Sequence, residues 1–317
     1  MKIIEKLQEI NFNGTAVTIG FFDGVHKGHA ALLTRLAKQA RERGLESVVV
    51  TFSSHPREAL QANYIPKLIT LNNERYELLE NSGVDYVVVL PFDKEISGKS
   101  FKQFMDDYLI EKLNTKYLLI GHDHHFGCDR ANGFEQYKQY GEEKGIVVER
   151  EDVFKVKDVV VSSSHVRREI QAGNISAAKD ALGYDYFIEG TVIPGFKLGK
   201  SIGFPTANVA VNDVRKLLPA AGVYAVTVNV EGYNKPLKSM LYIGARPTFV
   251  NMSETKSIEV HIFDFNDDIY KKKIRVNFKQ FIREEQKFDT PAKLASQLNK
   301  DKQVIQDWFS KKRQLFT

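Results

Sequence analysis

An apolar run from Ala16 to Ile19 empties into Gly20-Phe21-Phe22-Asp23-Gly24-Val25-His26-Lys27-Gly28-His29. The chain is then apolar at Leu32, Leu33, Leu36, Ala37 and Ala40, a helical spacing that stops at Gly44, and a second apolar run follows from Val48 to Phe52. Strand, glycine-rich loop, helix and strand make one βαβ unit, which commits the first half of the chain to a parallel α/β architecture. Such a loop leaves the carboxyl end of its strand with the helix N-terminus pointing into it. Backbone N–H groups and the positive end of the helix dipole then face any anion held there. A glycine loop after a strand is common without a ligand, and a lone histidine is usually structural. His26 and His29 stand three apart at a helix start, so both face the loop. That spacing predicts a phosphate-handling site with side chains able to donate protons.

The alternation continues. Residues 73–82 read as a helix, 86–90 as a buried strand, 101–113 as a helix, 117–120 as a short strand and 134–144 as a helix ending at Gly145. Strand-like runs follow at 146–148 and 159–161, and a helical segment over 164–182, interrupted by Gly173-Asn174, closes the first domain. This order predicts a doubly wound parallel sheet with ligands at the carboxyl ends of its strands. Near residue 184 helical spacing gives way to strand patterns at 186–192, 222–230, 237–243, 257–263 and 274–281, separated by turn signals such as Asn212-Asp213 and Glu231-Gly232. Short strands with turns between them predict a closed antiparallel barrel or a sandwich. A helix over 291–309 ends the pattern, with Leu294, Leu298, Val304, Ile305 and Trp308 on one side. The 317 residues therefore divide into two domains, 1–183 and 184–317.

Composition excludes several classes. A single cysteine, Cys128, rules out a disulfide framework and points to a reducing compartment. Met1-Lys2-Ile3-Ile4-Glu5-Lys6 lacks the apolar core of a signal peptide, and no apolar run reaches the roughly 18 residues of a membrane span. A cytoplasmic protein with no membrane partner is expected. The net charge of +5 suits anionic ligands such as nucleotides, and no dense Lys/Arg tract with interleaved aromatics argues for a nucleic-acid partner. A weak homo-oligomer is compatible with the sequence, which does not set the oligomeric state.

Two further clusters follow strands of the first domain. Gly121-His122-Asp123-His124-His125-Phe126-Gly127 comes after the 117–120 strand, and Ser162-Ser163-Ser164-His165-Val166-Arg167-Arg168 after 159–161. In a parallel sheet all three loops can meet on one edge. The serines can cap the next helix, or present hydroxyl and N–H groups to a phosphate. Arg167 can meet phosphate oxygens bidentately. His122, Asp123, His124 and His125 invite a metal, but adjacent residues rarely converge on one ion and no zinc-type spacing accompanies them, so a substrate-contacting loop is the favoured reading.

In the second domain the glycines at 195, 199 and 203 lie in a stretch that ends Gly203-Phe204-Pro205-Thr206-Ala207-Asn208. Glycine at Gly195, Gly199 and Gly203 suits either a barrel turn or a backbone that approaches a polyphosphate; the stretch is not a Walker loop. Glu259 and His261 alternate along a strand and so face one side. Glu259 is then either a surface glutamate or a general base.

These motifs carry a resemblance. The opening loop matches the G-x-F-D-G-x-H-x-G-H motif of the bacterial bifunctional riboflavin kinase/FMN adenylyltransferase family, also called FAD synthetase. His26 to His29 is also the H-x-G-H signature of the wider nucleotidyltransferase superfamily, which includes class I aminoacyl-tRNA synthetases. No tRNA-binding region supports that second reading. Ser162-Ser163-Ser164-x-x-Arg167 and Gly121-x-Asp123-x-x-Phe126-Gly127 resemble two further segments of the family, with His124 where a Phe is usual. Gly203 to Asn208 matches the G-F-P-T-A-N motif of riboflavin kinases. Gly222-Val223-Tyr224, Gly244-Ala245-Arg246-Pro247-Thr248-Phe249 and Glu259-Val260-His261 extend the match, as does Phe281-Ile282-Arg283 to Phe288, with Tyr242 where Asn is frequent. The resemblance implies a Rossmann-like nucleotidyltransferase domain followed by a riboflavin-kinase type β-barrel. It implies ATP, riboflavin and FMN as substrates and Mg²⁺ with ATP. Gly20, Phe21, Asp23, Gly24, Gly28, Ser162, Ser163 and Ser164 would surround ATP phosphates in the first domain, with His26, His29 and Arg167 stabilising charge as pyrophosphate departs. Asp123, Phe126 and Arg283 would contact flavin. Gly195, Gly199, Gly203 and Pro205 would line the second ATP site, Thr206 and Asn208 would hold Mg-ATP, and Glu259 would be the base. A chain with one of the two activities, the other domain being inactive or regulatory, is the alternative.

Overall fold

The computed structural model describes all residues except 8, 9, 62, 123, 129–132, 196–198, 200, 201, 246–255 and 315–317. The chain forms two compact units, Met1–His165 and Val166–Thr317. This division falls earlier than the change of pattern at residue 183, and groups most of the 164–182 helical segment with the barrel.

The first unit runs β1 (Lys2–Ile4), β2 (Thr15–Ile19), α1 (Lys27–Arg43), β3 (Glu46–Phe52), α2 (Pro56–Leu60), α3 (Asn72–Glu80), β4 (Tyr86–Leu90), α4 (Lys94–Gly98) and α5 (Phe101–Phe104), which a π-helix, Met105–Ile110, continues. Then come β5 (Thr115–Ile120), α6 (Phe134–Glu143), β6 (Val147–Arg150) and a small antiparallel hairpin, β7 (Lys155–Val156) with β8 (Val159–Val160). Six parallel strands form one sheet in the order β1-β4-β3-β2-β5-β6. The order reverses between β2 and β5, so the loops after these two strands leave the sheet at a topological switch point, where α/β proteins hold ligands. Of the two strand-like runs at 146–148 and 159–161, only the first joins the sheet; the second is an arm of the hairpin.

Side-chain alternation builds a core on each face. Val17, Ile19, Val48, Val50, Val88 and Leu118 enter a cluster with Phe101, Phe104, Met105 and Tyr137. Ala16, Val49, Val87, Tyr117 and Leu119 enter another with Leu32, Leu33 and Leu36 of α1. Both faces being covered explains why these strands read as unbroken apolar runs. The three α1 leucines are withdrawn from water, each contributing on the order of 1.5–3 kcal/mol. The helix stops at Gly44, whose φ of 66° is left-handed, with Arg41 and Arg43 in its last turn.

The second unit takes most of α7 (Ser163–Gln171), then α8 (Ile175–Leu182) and six strands: β9 (Phe187–Ile193), β10 (Ala207–Ala210), β11 (Gly222–Val230), β12 (Leu237–Ala245), β13 (Lys256–Ile262) and β14 (Lys273–Arg283). They close an antiparallel barrel in the order β10-β13-β12-β11-β14-β9. The long helix α9 (Pro291–Gln314) follows. Its Leu298, Ile305 and Trp308 pack with Phe204, Val223, Ala225, Met240 and Tyr242, one face of neighbouring barrel strands. Five strands were expected here. The sixth, β10, is four residues long beside a Gly/Pro-rich stretch, too short to show a period of two, and it closes the barrel between β9 and β13.

Candidate active sites

In the first unit the loop from Gly20 to His29 sits at the carboxyl end of β2. Its backbone is strained, with Phe22 at φ 56° and Val25 at φ 36°, both left-handed without being glycine. Buried Asp23 holds the loop: its carboxylate accepts from the backbone N–H groups of Ile69 (3.1 Å) and Thr70 (3.0 Å), and the Thr70 hydroxyl accepts from Gly24 N–H at 2.9 Å. Asp23 is thus bonded to the protein's own backbone, while its carbonyl accepts from Ser163 Oγ at 2.9 Å. That bond ties the serine cluster to the opening loop. Ser162 Oγ accepts from His165 N–H at 3.2 Å and caps α7. Ser164 is exposed on the first turn of α7, and Arg167 follows on the same helix, within the second unit.

His26 is the N-cap of α1, with Nδ1 accepting from His29 N–H at 3.2 Å. Its ring stacks on that of His29 with centroids 3.6 Å apart and planes 13° apart. A Cβ on Gly28 would stand 3.2 Å from the His26 ring, so a side chain there would crowd the cap. His29 also meets the Phe22 ring edge-on at 5.1 Å, and its Nδ1 is buried with no hydrogen-bond partner among the described residues. Burial first, then the neighbouring His26 and His124, hold the His29 imidazole well below its ordinary pKa of 6.5. His124, from the loop after β5, therefore stands close enough to act on His29, and two of the three clusters meet at the switch point. Asp123 lies outside the described residues. Phe126 faces the core instead: its ring stacks on Tyr137 at 4.4 Å, and its N–H and carbonyl both bond to the Tyr137 hydroxyl.

The depressed His29 pKa predicts a pH effect. The unfolded chain takes up this proton near pH 6.5, while the folded chain resists it, so stability present above that pH is lost as pH falls below it. Burial of His261 lowers its pKa in the same sense. Thermal unfolding in the absence of nucleotide should show a melting temperature that declines from about pH 7.5 to pH 5.5, with each histidine limited to ~1.4 kcal/mol per pH unit. His29→Asn should flatten the decline.

Sequence reasoning missed Arg75. This arginine of α3 is fully buried, donates from Nη2 to Phe52 O (2.7 Å) and Asn72 Oδ1 (3.1 Å), and lies under the Phe21 ring at 4.1 Å. It fixes Phe21 at the start of the loop. Its neighbours Asn73, Glu74, Tyr76 and Glu77 give no sign that it is buried.

The second unit gathers the other motif residues. Asn208 pairs with Glu259 across β10–β13, and Glu259 with Tyr242 across β13–β12, so the three project from one face of the barrel wall. Thr206 Oγ1 donates to Glu259 Oε2 at 3.4 Å. A Cβ on Gly195 would fall 1.9 Å from Asn208 Nδ2, and one on Gly199 would fall 2.2 Å from Phe204 O, so both glycines are required by close approach. Gly203 has φ 83°. His261 Nδ1 lies 2.8 Å from Pro205 O, which requires the proton on Nδ1 and clamps the turn that carries Thr206. Pro205 and Thr206 also line a cavity of about 410 Å³ with Val192, Ile262 and Asp267. Thr206, Asn208 and Glu259 supply hard oxygen donors. Among the described residues no three His, Cys, Asp or Glu side chains form a metal-holding group.

Arg283 has a partner that sequence reasoning did not foresee. Its guanidinium bonds bidentately to Asp301 of α9 (Nε–Oδ1 3.0 Å, Nη2–Oδ2 2.8 Å), and Gln297 donates to the same carboxylate at 2.9 Å. Asp301 is 2% exposed. Asp301→Ala would leave the guanidinium with its main counter-charge removed. About 3 kcal/mol of stability should go, lowering the melting temperature of the barrel unit by ~6–12 °C in a calorimetric scan.

Comparison with known proteins follows this division. A family model described as FAD synthetase matches residues 8–165, and one described as riboflavin kinase matches residues 182–309. The bifunctional riboflavin kinase/FMN adenylyltransferase of Escherichia coli (strain K12) is 35% identical over 306 residues, 96% of each chain. That of Bacillus subtilis (strain 168) is 36% identical over 303 residues, 94% of each chain. The crystal structure of a macrolide-efflux protein from Streptococcus pneumoniae matches with a TM-score of 0.86 at 33% identity, covering 96% of this chain and 98% of that one. Efflux is that protein's description; among the described residues here no helix is long and apolar enough to cross a membrane.

Proposed function

The chain belongs to the bifunctional riboflavin kinase/FMN adenylyltransferase family, and we propose that its two reactions are divided between the two sites, with residues 1–183 serving adenylyl transfer and 184–317 the kinase. In the kinase reaction the terminal ribityl hydroxyl of riboflavin attacks the γ-phosphorus of ATP, its proton passes to the Glu259 carboxylate, and ADP leaves. Thr206 and Asn208 hold the nucleotide with its Mg²⁺, for which their oxygens and that of Glu259 are the fitting donor type. Bound there, Mg²⁺ neutralises phosphate charge. Thr206, Asn208 and Glu259, which come from segments about fifty residues apart, meet in one row; that convergence is the observation that carries this reading.

In the adenylyl reaction an oxygen of the FMN phosphate attacks the α-phosphorus of ATP and pyrophosphate leaves. Both reactants are anions, so positioning and charge neutralisation are what the protein must supply. The opening loop and the N-terminus of α1 receive the phosphates, and His26 and His29 balance the charge of the departing pyrophosphate. A buried His29 nitrogen without a partner at a helix N-terminus supports that role. Asp123 and Arg283 remain assigned to flavin by resemblance, Arg283 in concert with Asp301. ATP as substrate and a lone cysteine support a cytoplasmic enzyme. The test is incubation of the purified protein with riboflavin, ATP and Mg²⁺, followed by chromatographic separation of flavins. FMN and FAD should both form. FMN alone would mean a single-activity kinase, and neither product would overturn the reading.

A further inference from the structure

Tyr242 stands next to Glu259, its partner across β12–β13. Its ring packs on the cluster under α9 with Val223 and Met240, which fixes where the ring lies. Its hydroxyl donates to Glu285, in the segment that follows β14. Burial, then Glu285, then Glu259 push its ionisation upward, so the phenol stays protonated and remains a donor. The segment from 283 to 288 therefore has two tethers, Arg283 to Asp301 on α9 and Glu285 to Tyr242 on β12. The second tether ends on the residue paired in register with Glu259.

We propose that Tyr242 is a positioning residue of the kinase site, holding the 283–288 segment through Glu285 and thereby setting how tightly riboflavin binds. The inference rests on the kinase assignment above, in which Arg283 of this segment contacts flavin. The Tyr242 hydroxyl is engaged by Glu285, so its removal is expected to act on flavin affinity and not on the chemical step.

Tyr242→Phe keeps the packed ring and removes only the hydroxyl. Riboflavin affinity, read by quenching of flavin fluorescence without turnover, should weaken about three- to fivefold, the loss of one partly exposed hydrogen bond. KM for riboflavin should rise in parallel, with kcat within about twofold. Glu285→Gln, whose amide oxygen still accepts from the phenol, should stay nearer the unmodified protein than Glu285→Ala, and Tyr242→Phe combined with Glu285→Ala should be no worse than Glu285→Ala alone. Unchanged affinity in Tyr242→Phe, a fall in kcat at constant KM, or additive losses in the double variant would overturn the proposal. If the unmodified protein binds riboflavin but makes no FMN, the kinase reading fails while the affinity ratio still decides the role of Tyr242. If it binds no riboflavin, both fail.

Discussion

Glu259→Gln should lower conversion of riboflavin to FMN by about 10²- to 10⁴-fold, the span ascribed to a general base, while conversion of supplied FMN to FAD stays near that of the unmodified protein. The substitution is nearly isosteric. Its amide oxygen can still accept from the Thr206 hydroxyl, which now lies 3.4 Å from the carboxylate, and its place in the row between Asn208 and Tyr242 is set by strand pairing. What the amide cannot do is take a proton from the attacking hydroxyl. The loss should therefore fall on kcat, with KM for ATP and riboflavin within a few-fold. Separating flavin products with riboflavin and FMN supplied in parallel measures both activities on one sample. Equal loss of FMN and FAD formation would sink the division of labour, and retained FMN formation would return Glu259 to an ordinary surface glutamate.

The legible parts of this molecule are those whose cause is local. The helix after the opening loop announces itself because Leu32, Leu33, Leu36, Ala37 and Ala40 keep a 3.6-residue spacing and Gly44 supplies the left-handed stop. The histidine pair is legible for the same reason: three residues apart at a helix start can only mean one end of one helix. Roles set by distant partners are not legible. Asp23 reads as a phosphate neighbour because it stands in the loop, yet its carboxylate bonds to the backbone 46 residues away at Ile69. Phe126 lies in a loop motif and packs as core because Tyr137 of α6 bonds its backbone on both sides. Asp301 and Arg283 are joined only once α9 folds over the barrel, and nothing in the spacing of α9 sets its single buried aspartate apart. β10 is invisible to periodicity, although it is the strand that brings Asn208 beside Glu259.

His29→Ala should have the converse effect to Glu259→Gln: FAD formation from FMN should fall about 10²- to 10³-fold, the cost of removing one donor that meets developing charge, with riboflavin phosphorylation retained. The choice of His29 over His26 follows from what each does for the fold. His26 Nδ1 caps α1, so its removal would cost about 1 kcal/mol of stability and displace the helix start. His29 Nδ1 caps nothing: it is buried without a hydrogen-bond partner among the described residues and held neutral by burial and by two neighbouring imidazoles. An imidazole kept in that state is poorly used by the folded protein alone and well placed for an anion, which would satisfy the nitrogen and raise its proton affinity. Removing it should leave the melting temperature without nucleotide within a few degrees, while the stabilisation that ATP confers on the unmodified protein shrinks. Nucleotide binding should also take up protons near pH 6, seen as binding heats that depend on the buffer, and His29→Ala should abolish most of that uptake. A structural histidine would behave the other way, with a lowered melting temperature, activity lost in proportion to folding, and proton uptake unchanged.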